Sequence, residues 1–159
     1  MKFIKNIPID QKALDFMLNN KGSKRPVIPP ADYQKEAADI WTTAGYDTSQ
    51  LYWESFSNEN FPFAVDIPFE NNWWFSKLLP GGVFPYHQDI YPTLKPKSRL
   101  WIACQDHQPG HIFSYGDNVL TGYKAGDMFE FQDTSVWHGA ANCGLTPKIS
   151  LQVVIFESS

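Results

Sequence analysis

Apolar positions recur at helical spacing in two segments of the first third of the chain. A first helix is predicted by the segment DQKALDFMLNN, with Asp10 as its N-cap. A second is predicted by PADYQKEAADIWTTAGYD, with Pro30 at its start and Gly45 at its end. The apolar face of this second helix comprises Tyr33, Ala37, Ile40, Trp41 and Ala44. The first third of the chain therefore predicts helices.

From about residue 50 the apolar positions form short aromatic and β-branched runs, interrupted by Gly, Pro, Asn and Asp, as is typical of antiparallel strands. The clearest strand candidates are WWFSKLL, RLWIACQD, HIFSYG, DMFEFQD and ISLQVVIF. Neither a repeat nor a linker separates the two regions. We therefore expect one domain over residues 1–159, with residues 1–50 as a helical support and residues from about 51 to 159 as a β sandwich or barrel, such as a jelly roll.

Composition narrows the class of partner. The net charge is −4, and the chain has no long Lys or Arg run, which argues against binding nucleic acid or anionic lipid. With neither a signal peptide nor a membrane-length apolar segment, a soluble cytoplasmic protein is expected. Its partner is then a small molecule, a peptide or a protein. Cys104 and Cys143 are expected to be ordinary thiols.

The candidate chemistry begins with the stretch FPYHQDIYP. If it is extended, His87 and Asp89 project to the same side, as two ligands of a metal ion would. A third ligand is available in VWHGAAN, where His138 follows His87 by 51 positions. Two imidazoles and one carboxylate form the ligand set of non-haem Fe(II) oxygenases. A His-x-Asp pair alone more often belongs to a hydrogen-bonded surface turn.

The last predicted strand carries a second polar motif. In TPKISLQVVIF, alternation places apolar residues on one face and Lys148 and Ser150 on the other. An ammonium group and a hydroxyl can together hold the far carboxylate of a dicarboxylate ligand. Arg99, on one face with Trp101, is a second candidate cation, and an ion pair within the sheet is an equal alternative for it.

This ordered set of residues resembles the Fe(II)- and 2-oxoglutarate-dependent oxygenases, which have a double-stranded β-helix (jelly-roll, cupin-like) core. Their signature is His-x-Asp/Glu, then a distal His, then an Arg or Lys that binds the cosubstrate. His87, Asp89, His138 and Lys148 match it in order and spacing over roughly residues 73–157. Prolyl 4-hydroxylases of the collagen type have Lys at the last position. The run from SRLW through AGDMFEFQDTSVWHGAANCG also looks like the aspartyl/asparaginyl β-hydroxylase branch, whose members typically lack the carboxylate found here at Asp89.

The resemblance implies a dioxygenase that uses Fe(II), 2-oxoglutarate and O2, releases succinate and CO2, and hydroxylates an amino-acid residue of a peptide or protein, or a small molecule. His87, Asp89 and His138 would hold the metal, and Lys148, Ser150 or Arg99 would bind 2-oxoglutarate. The residues expected to line the substrate pocket are Phe84, Tyr86, Tyr91 and Trp101.

Two other functions remain open at this stage. One is a cupin-type metalloenzyme that does not use 2-oxoglutarate, in which metal binding would be indifferent to Lys148. The other is a non-catalytic jelly-roll module, in which the three candidate ligands would be scattered, since jelly rolls serve many functions. The remaining histidines, His107 and His111 in DHQPGH, are expected in a loop because Pro109 and Gly110 exclude a helix there.

Overall fold

The computed structural model describes residues 1–27, 35–70, 72–89, 96–131 and 135–156. Within these ranges it has two α-helices, two short 3-10 helices (Thr48–Gln50 and Asn58–Asn60) and eleven strands. Neither α-helix is long and apolar enough to cross a lipid bilayer. In chain order the strands and α-helices are β1 (Lys2–Asn6), α1 (Gln11–Asn19), β2 (Ser23–Pro26), α2 (Lys35–Thr43), β3 (Tyr52–Phe56), β4 (Trp73–Leu78), β5 (Val83–His87), β6 (Pro96–Ala103), β7 (His111–Tyr115), β8 (Asn118–Val119), β9 (Asp127–Phe131), β10 (His138–Asn142) and β11 (Lys148–Phe156).

The strands form two antiparallel sheets. The large sheet has the order β1-β9-β6-β11-β4-β3-β2, and the small sheet has the order β5-β10-β7-β8. From β4 onward the chain crosses between the two sheets at every step except the β7–β8 hairpin. Strands β4 to β11 thus form two sets of four neighbouring strands: β9-β6-β11-β4 within the large sheet, and β5-β10-β7-β8, which is the small sheet. This is the topology of a double-stranded β-helix, and it confirms the predicted jelly-roll fold class.

The predicted strands and the first helix are confirmed. Each of the five strand candidates overlaps an observed strand, namely β4, β6, β7, β9 and β11. The side chain of Asp10 accepts a hydrogen bond from the Ala13 N–H at 3.1 Å and so caps α1. Helix α2 is present as well, and Gly45 beyond its end has a positive φ of 91°.

The predicted apolar face of α2 is only partly right. Trp41 is buried, and its indole Nε1–H donates to the Tyr86 carbonyl at 2.8 Å, which ties the helix to the end of β5. Ile40 is 48% exposed and Ala44 is also exposed, because Trp41 is the side chain that turns toward the barrel. Three further residues of the prediction lie outside what the structure describes: Pro30, Tyr33 and the side chain of Ala37.

The first 50 residues are more than a helical support, which corrects the prediction. They contribute β1, which pairs with β9, and β2, which pairs with β3 at the other end of the large sheet. Both are edge strands. Every residue of β1 is exposed, so the sequence KFIKN carries no alternation between buried and exposed positions that would have revealed a strand.

The large sheet has an apolar core on each of its faces. Its outer face packs against α1, where Leu14 and Met17 meet side chains of β6 and β11 such as Ile102 and Leu151. Its inner face meets the small sheet through an aromatic cluster that includes Trp101 and Phe113. Because side chains alternate along a strand, β11 places Ile149, Leu151 and Val153 in the outer core and its polar residues on the inner face. The polar residues of β11 are therefore buried in the interior of the barrel.

Candidate metal centre

The two histidines of the predicted metal site face each other across adjacent strands. His87 is the last residue of β5, His138 is the first residue of β10, and the two are partners in the strand register. Their ring centroids lie 4.3 Å apart. Strand pairing thus brings together two residues that are distant in the sequence.

Asp89 completes the cluster from the segment just after β5. Its Oδ1 lies 3.7 Å from His87 Nε2 and its Oδ2 lies 3.5 Å from His138 Nε2. Each of the three residues offers a ligand atom, and all three atoms lie within 4.8 Å of one another. The three side chains converge, whereas in a non-catalytic jelly-roll module they would be scattered.

The ring nitrogens of both histidines are arranged to bind a cation. The Nδ1 of His87 lies 2.8 Å from the Pro85 carbonyl, and the Nδ1 of His138 lies 2.8 Å from the Val136 carbonyl. Since a carbonyl oxygen only accepts, each Nδ1 carries the proton and each Nε2 keeps its lone pair. The buried Nε2 of His138 has no hydrogen-bond partner among the described residues. A metal ion between the two Nε2 atoms and the carboxylate would satisfy it, so the residues fit a divalent metal.

Burial keeps both imidazoles neutral. It lowers the pKa of His87 to about 3, with the neighbouring His138 contributing, and it lowers the pKa of His138 to about 4. At neutral pH neither ring needs to lose a proton before it coordinates a metal.

Arg99, on β6, ion-pairs with Asp89 through its Nη1. Its Nη2 donates to Gln152 Oε1 at 3.1 Å, and its guanidinium carbon lies 5.6 Å from the ring centroid of Trp74. Burial lowers the pKa of Arg99 to about 10, so the group stays charged at neutral pH. Of the two roles that the sequence leaves open for Arg99, the structure shows the ion pair.

Lys148 is a buried cation that has no anionic partner among the described residues. Lys148 is the first residue of β11, its side chain lies on the inner face, and the residue is 5% exposed. Its Nζ lies 5.3 Å from the ring centroid of Trp101 and 5.6 Å from that of Phe113. The ammonium group makes neither an ion pair nor a hydrogen bond with the part of the chain that the structure describes. Burial lowers its pKa to about 8. A charge held in this way is costly unless a ligand pairs with it.

One cavity, with a volume of about 80 Å³, joins these groups. Its lining includes both histidines, Arg99, Lys148 and Ser150, together with Phe84 and Trp101 from the predicted pocket residues. It also includes residues that the sequence did not single out, among them Ser76 and Gln152. Ser76 is the strand partner of Ser150, and Gln152 lies two residues further along β11. Their places depend on pairing between strands, which the sequence pattern does not encode.

Tyr86 does not line the cavity, which corrects the prediction. The residue is 41% exposed, and its ring stacks on that of Trp137 at an interplanar angle of 12°. The cause is a β-bulge: β10 pairs His138 with His87 but Ala140 with Phe84, so β5 has one more residue than β10 over this stretch. Phe84 and His87 consequently both face the cavity, and Tyr86 between them faces outward. Tyr91 lies outside the described residues.

Neither of the other two histidines lines the cavity. His107 lies before β7, as expected, and its Nε2 is 3.1 Å from the carbonyl of His111. His111, however, is the buried first residue of β7 rather than a loop residue, and its Nε2 lies 3.0 Å from the Thr146 carbonyl. Both histidines have structural hydrogen bonds.

No protein-family model and no curated protein sequence matches this chain. Among solved structures, it is similar to a predicted oxalate decarboxylase from Thermotoga maritima, with 19% identity over 67% of this chain and 82% of that chain and a TM-score of 0.43. It is also similar to a conserved protein with a double-stranded β-helix domain from Klebsiella pneumoniae, with 22% identity, 63% and 87% coverage and a TM-score of 0.40. Drosophila melanogaster CENP-C bound to CAL1 matches at 12% identity, with 77% and 99% coverage and a TM-score of 0.41. At these TM-scores the similarities carry no argument, and the fold class rests on the strand order.

Proposed function

We propose that this protein is an Fe(II)- and 2-oxoglutarate-dependent dioxygenase. The proposal rests on one observation: His87 and His138, which converge with Asp89, line the same cavity as Lys148, a buried cation with no anionic partner among the described residues. Two imidazoles and a carboxylate leave metal positions open for further ligands. A dicarboxylate cosubstrate explains the unpaired ammonium group better than a neutral cosubstrate would, because its far carboxylate can pair with the charge.

The metal would be held by Nε2 of His87, Nε2 of His138 and the carboxylate of Asp89. When bound, Fe(II) supplies the redox chemistry that couples oxidative decarboxylation of 2-oxoglutarate by O2 to oxidation of a C–H bond. Arg99 would orient Asp89, because its guanidinium pairs with the carboxylate.

The far carboxylate of 2-oxoglutarate would be held at the Lys148 end of the cavity. Lys148 supplies the charge, and the hydroxyls of Ser150 and Ser76 supply hydrogen bonds from adjacent strands. The rings of Trp101 and Phe113 beside the ammonium exclude water, which strengthens the attraction between the two charges. The cosubstrate would thus be fixed at one end by Lys148, with its keto acid end toward the metal.

The substrate to be oxidised would be an amino-acid residue in a peptide or protein, or a small molecule. Hydroxylation is the proposed outcome, with 2-oxoglutarate and O2 converted to succinate and CO2.

Succinate formation tests the proposal. Protein loaded with Fe(II) is incubated in air with ascorbate and 2-oxoglutarate, and succinate is quantified by mass spectrometry. We expect turnover by the wild type and a loss of at least about 100-fold in Asp89→Asn and His138→Ala. Asp106→Asn is the matched control, because Asp106 is an exposed carboxylate paired with Lys124 and should leave the rate unchanged.

Two results would contradict the proposal: folded, metal-loaded wild type that forms no succinate, or succinate formation that survives Asp89→Asn. Metal binding that depends on His87 and His138, without any use of 2-oxoglutarate and without any effect of Lys148→Met, would instead favour the cupin-type metalloenzyme.

A further inference from the structure

Gln152 lies between the ion pair of the metal centre and the anion end of the cavity. Its side-chain oxygen accepts from Arg99 Nη2 at 3.1 Å, and its side-chain nitrogen donates to Ser150 Oγ at 2.9 Å. Gln152 and Ser150 are both buried, and both line the cavity. A continuous chain of polar contacts therefore runs from Asp89 through Arg99 and Gln152 to Ser150.

The chemistry of these groups fixes the direction of every hydrogen bond in the chain. A guanidinium only donates, so the oxygen of the Gln152 amide must face Arg99. The amide NH2 then faces Ser150, and Ser150 Oγ accepts from it. The hydroxyl proton of Ser150 is left to donate elsewhere, and none of the described residues accepts it.

We propose that Gln152 is a positioning residue that makes Ser150 a hydrogen-bond donor to the carboxylate held by Lys148. This inference rests on the proposed function, since the carboxylate is that of 2-oxoglutarate. Because Arg99 can only donate, Gln152 turns its NH2 toward Ser150, and the Ser150 hydroxyl is left to donate to the ligand. Lys148 and Ser150 then both offer hydrogen-bond donors at the other end of the cavity. An end of the cavity built from donors selects an anion and rejects a ligand that must donate.

Gln152→Glu is the substitution that reverses this polarity with little change in shape. A carboxylate at position 152 accepts from both Arg99 and Ser150, so the Ser150 proton would be used inside the protein. It also adds a negative charge near the bound anion. The charge effect and the loss of the donor are separated by a double-mutant cycle with Ser150→Ala, because only the second effect passes through the hydroxyl.

The experiment measures the Kd of 2-oxoglutarate by isothermal titration calorimetry on Mn(II)-loaded protein. Four proteins are compared: wild type, Gln152→Glu, Ser150→Ala and the double variant. We expect Ser150→Ala to weaken binding about 10-fold and Gln152→Glu to weaken it more. Gln152→Glu should weaken binding less in the Ser150→Ala background than in the wild type. The two fold-losses should differ by about the factor by which Ser150→Ala alone weakens binding.

A matched ligand distinguishes this role from a general distortion of the cavity. 2-Oxopentanoate has the keto acid end of 2-oxoglutarate but not the far carboxylate, so its Kd should change less than about twofold in Ser150→Ala. If Gln152→Glu does not fold, Gln152→Met replaces it. The hydroxyl of Ser150 is then free to rotate, and we expect a loss of a few-fold that again disappears in the Ser150→Ala background.

The outcomes separate the two proposals. If wild-type protein binds Mn(II) but no 2-oxoglutarate, the proposed function is overturned, and the role of Gln152 is overturned with it. If the wild type binds 2-oxoglutarate but the effects of the two substitutions simply multiply, only the role of Gln152 is overturned. Equal losses for 2-oxoglutarate and 2-oxopentanoate in Ser150→Ala would also overturn it.

Discussion

Lys148 is the residue whose burial is hardest to explain without a ligand. Its ammonium group lies near the rings of Trp101 and Phe113, and burial lowers its pKa from 10.5 to about 8. The folded protein therefore binds the Lys148 proton less tightly than the unfolded chain does. Below pH 8 the folded state holds a charge that costs on the order of 3 kcal/mol, and above that pH the cost is progressively relieved until about pH 10.5.

We predict that Lys148→Met stabilises the ligand-free protein at pH 7, by up to about 3 kcal/mol in the free energy of unfolding. The difference between variant and wild type should shrink by more than half at pH 9.5, because the wild-type lysine is then largely neutral when folded. Urea unfolding at the two pH values measures it. If the variant is less stable than the wild type at pH 7, or if the difference in unfolding free energy does not depend on pH, the buried charge does not destabilise the folded protein.

Single residues of the site differ in how far the sequence reveals them. His87, Asp89, His138 and Lys148 were found from residue type and order. The structure brings His87, His138 and Lys148 to one cavity and places Asp89 beside the two histidines. Tyr86 was assigned to the pocket on the assumption of strict alternation, which the bulge in β5 breaks. Pro85 lies within the bulged stretch, but a Pro also suits an edge strand such as β5, so the sequence does not distinguish the bulge from a regular strand.

At the level of elements, the turn before β9 shows how tightly the strands are joined. Gly126 has a φ of 86°, its N–H donates to Ala103 at 2.8 Å, and its carbonyl accepts from Ile7 at 2.9 Å. A Cβ at this position would lie 2.0 Å from the Ile7 carbonyl oxygen. Gly126 therefore connects the end of β1 with the start of β9 and the end of β6.

We predict that Gly126→Ala destabilises the protein by more than about 2 kcal/mol, because it combines backbone strain with a steric clash. Gly45→Ala is the matched control: Gly45 has a φ of 91°, but a Cβ there would meet nothing within 4 Å. It should cost only about 1 kcal/mol, from the backbone conformation alone. Equal losses in chemical unfolding would mean that the close approach to Ile7 contributes nothing.

Elements were predictable where one face of a strand or helix is buried. β11 shows this well, because its apolar residues face the outer core and its polar residues face the cavity. β1 and β2 could not be found in this way. Every residue of β1 is exposed and so is most of β2, so their pairing depends on the edges that β9 and β3 offer and not on a pattern of their own.

For the molecule as a whole, the large sheet has its main apolar core on one side and the candidate site on the other. The outer core against α1 contains the largest group of buried apolar residues, while the cavity and its charges lie between the sheets. One buried ion pair lies on the α1 side: Lys77 Nζ is 3.1 Å from Glu54 Oε2 and donates to the Asn20 carbonyl at 2.9 Å. Glu54 also accepts from the Gly22 N–H at 3.2 Å.

We predict that Lys77→Met destabilises the protein by about 3 to 5 kcal/mol, because it leaves the Glu54 carboxylate buried without its cation. The double variant with Glu54→Gln should recover part of that loss. Lys77 borders the cavity, but it follows Ser76, the strand partner of Ser150, so its side chain lies on the opposite face of the sheet from Ser150. The Kd of 2-oxoglutarate for the folded, metal-loaded protein should therefore change less than about twofold in either variant. Weaker cosubstrate binding at equal folded fraction would contradict this separation.

The fold class was predictable from short strands separated by turn residues, but the path of the chain between the sheets was not. The sequence indicates how many strands pass through a core, and it does not state which strands are neighbours. The pairing of β5 with β10, which places His138 against His87, is a property of the whole barrel. The ordered residues that match the oxygenase signature indicated the pairing of β5 with β10 only indirectly.

The most direct test of the account is an anaerobic titration of the Fe(II)-loaded protein with 2-oxoglutarate, followed by visible absorption. We predict a metal-to-ligand charge-transfer band that saturates in the wild type, is absent in Asp89→Asn, and needs at least about 10-fold more 2-oxoglutarate in Lys148→Met. Folded wild-type protein that binds Fe(II) and shows no such band at millimolar 2-oxoglutarate would contradict the proposed function.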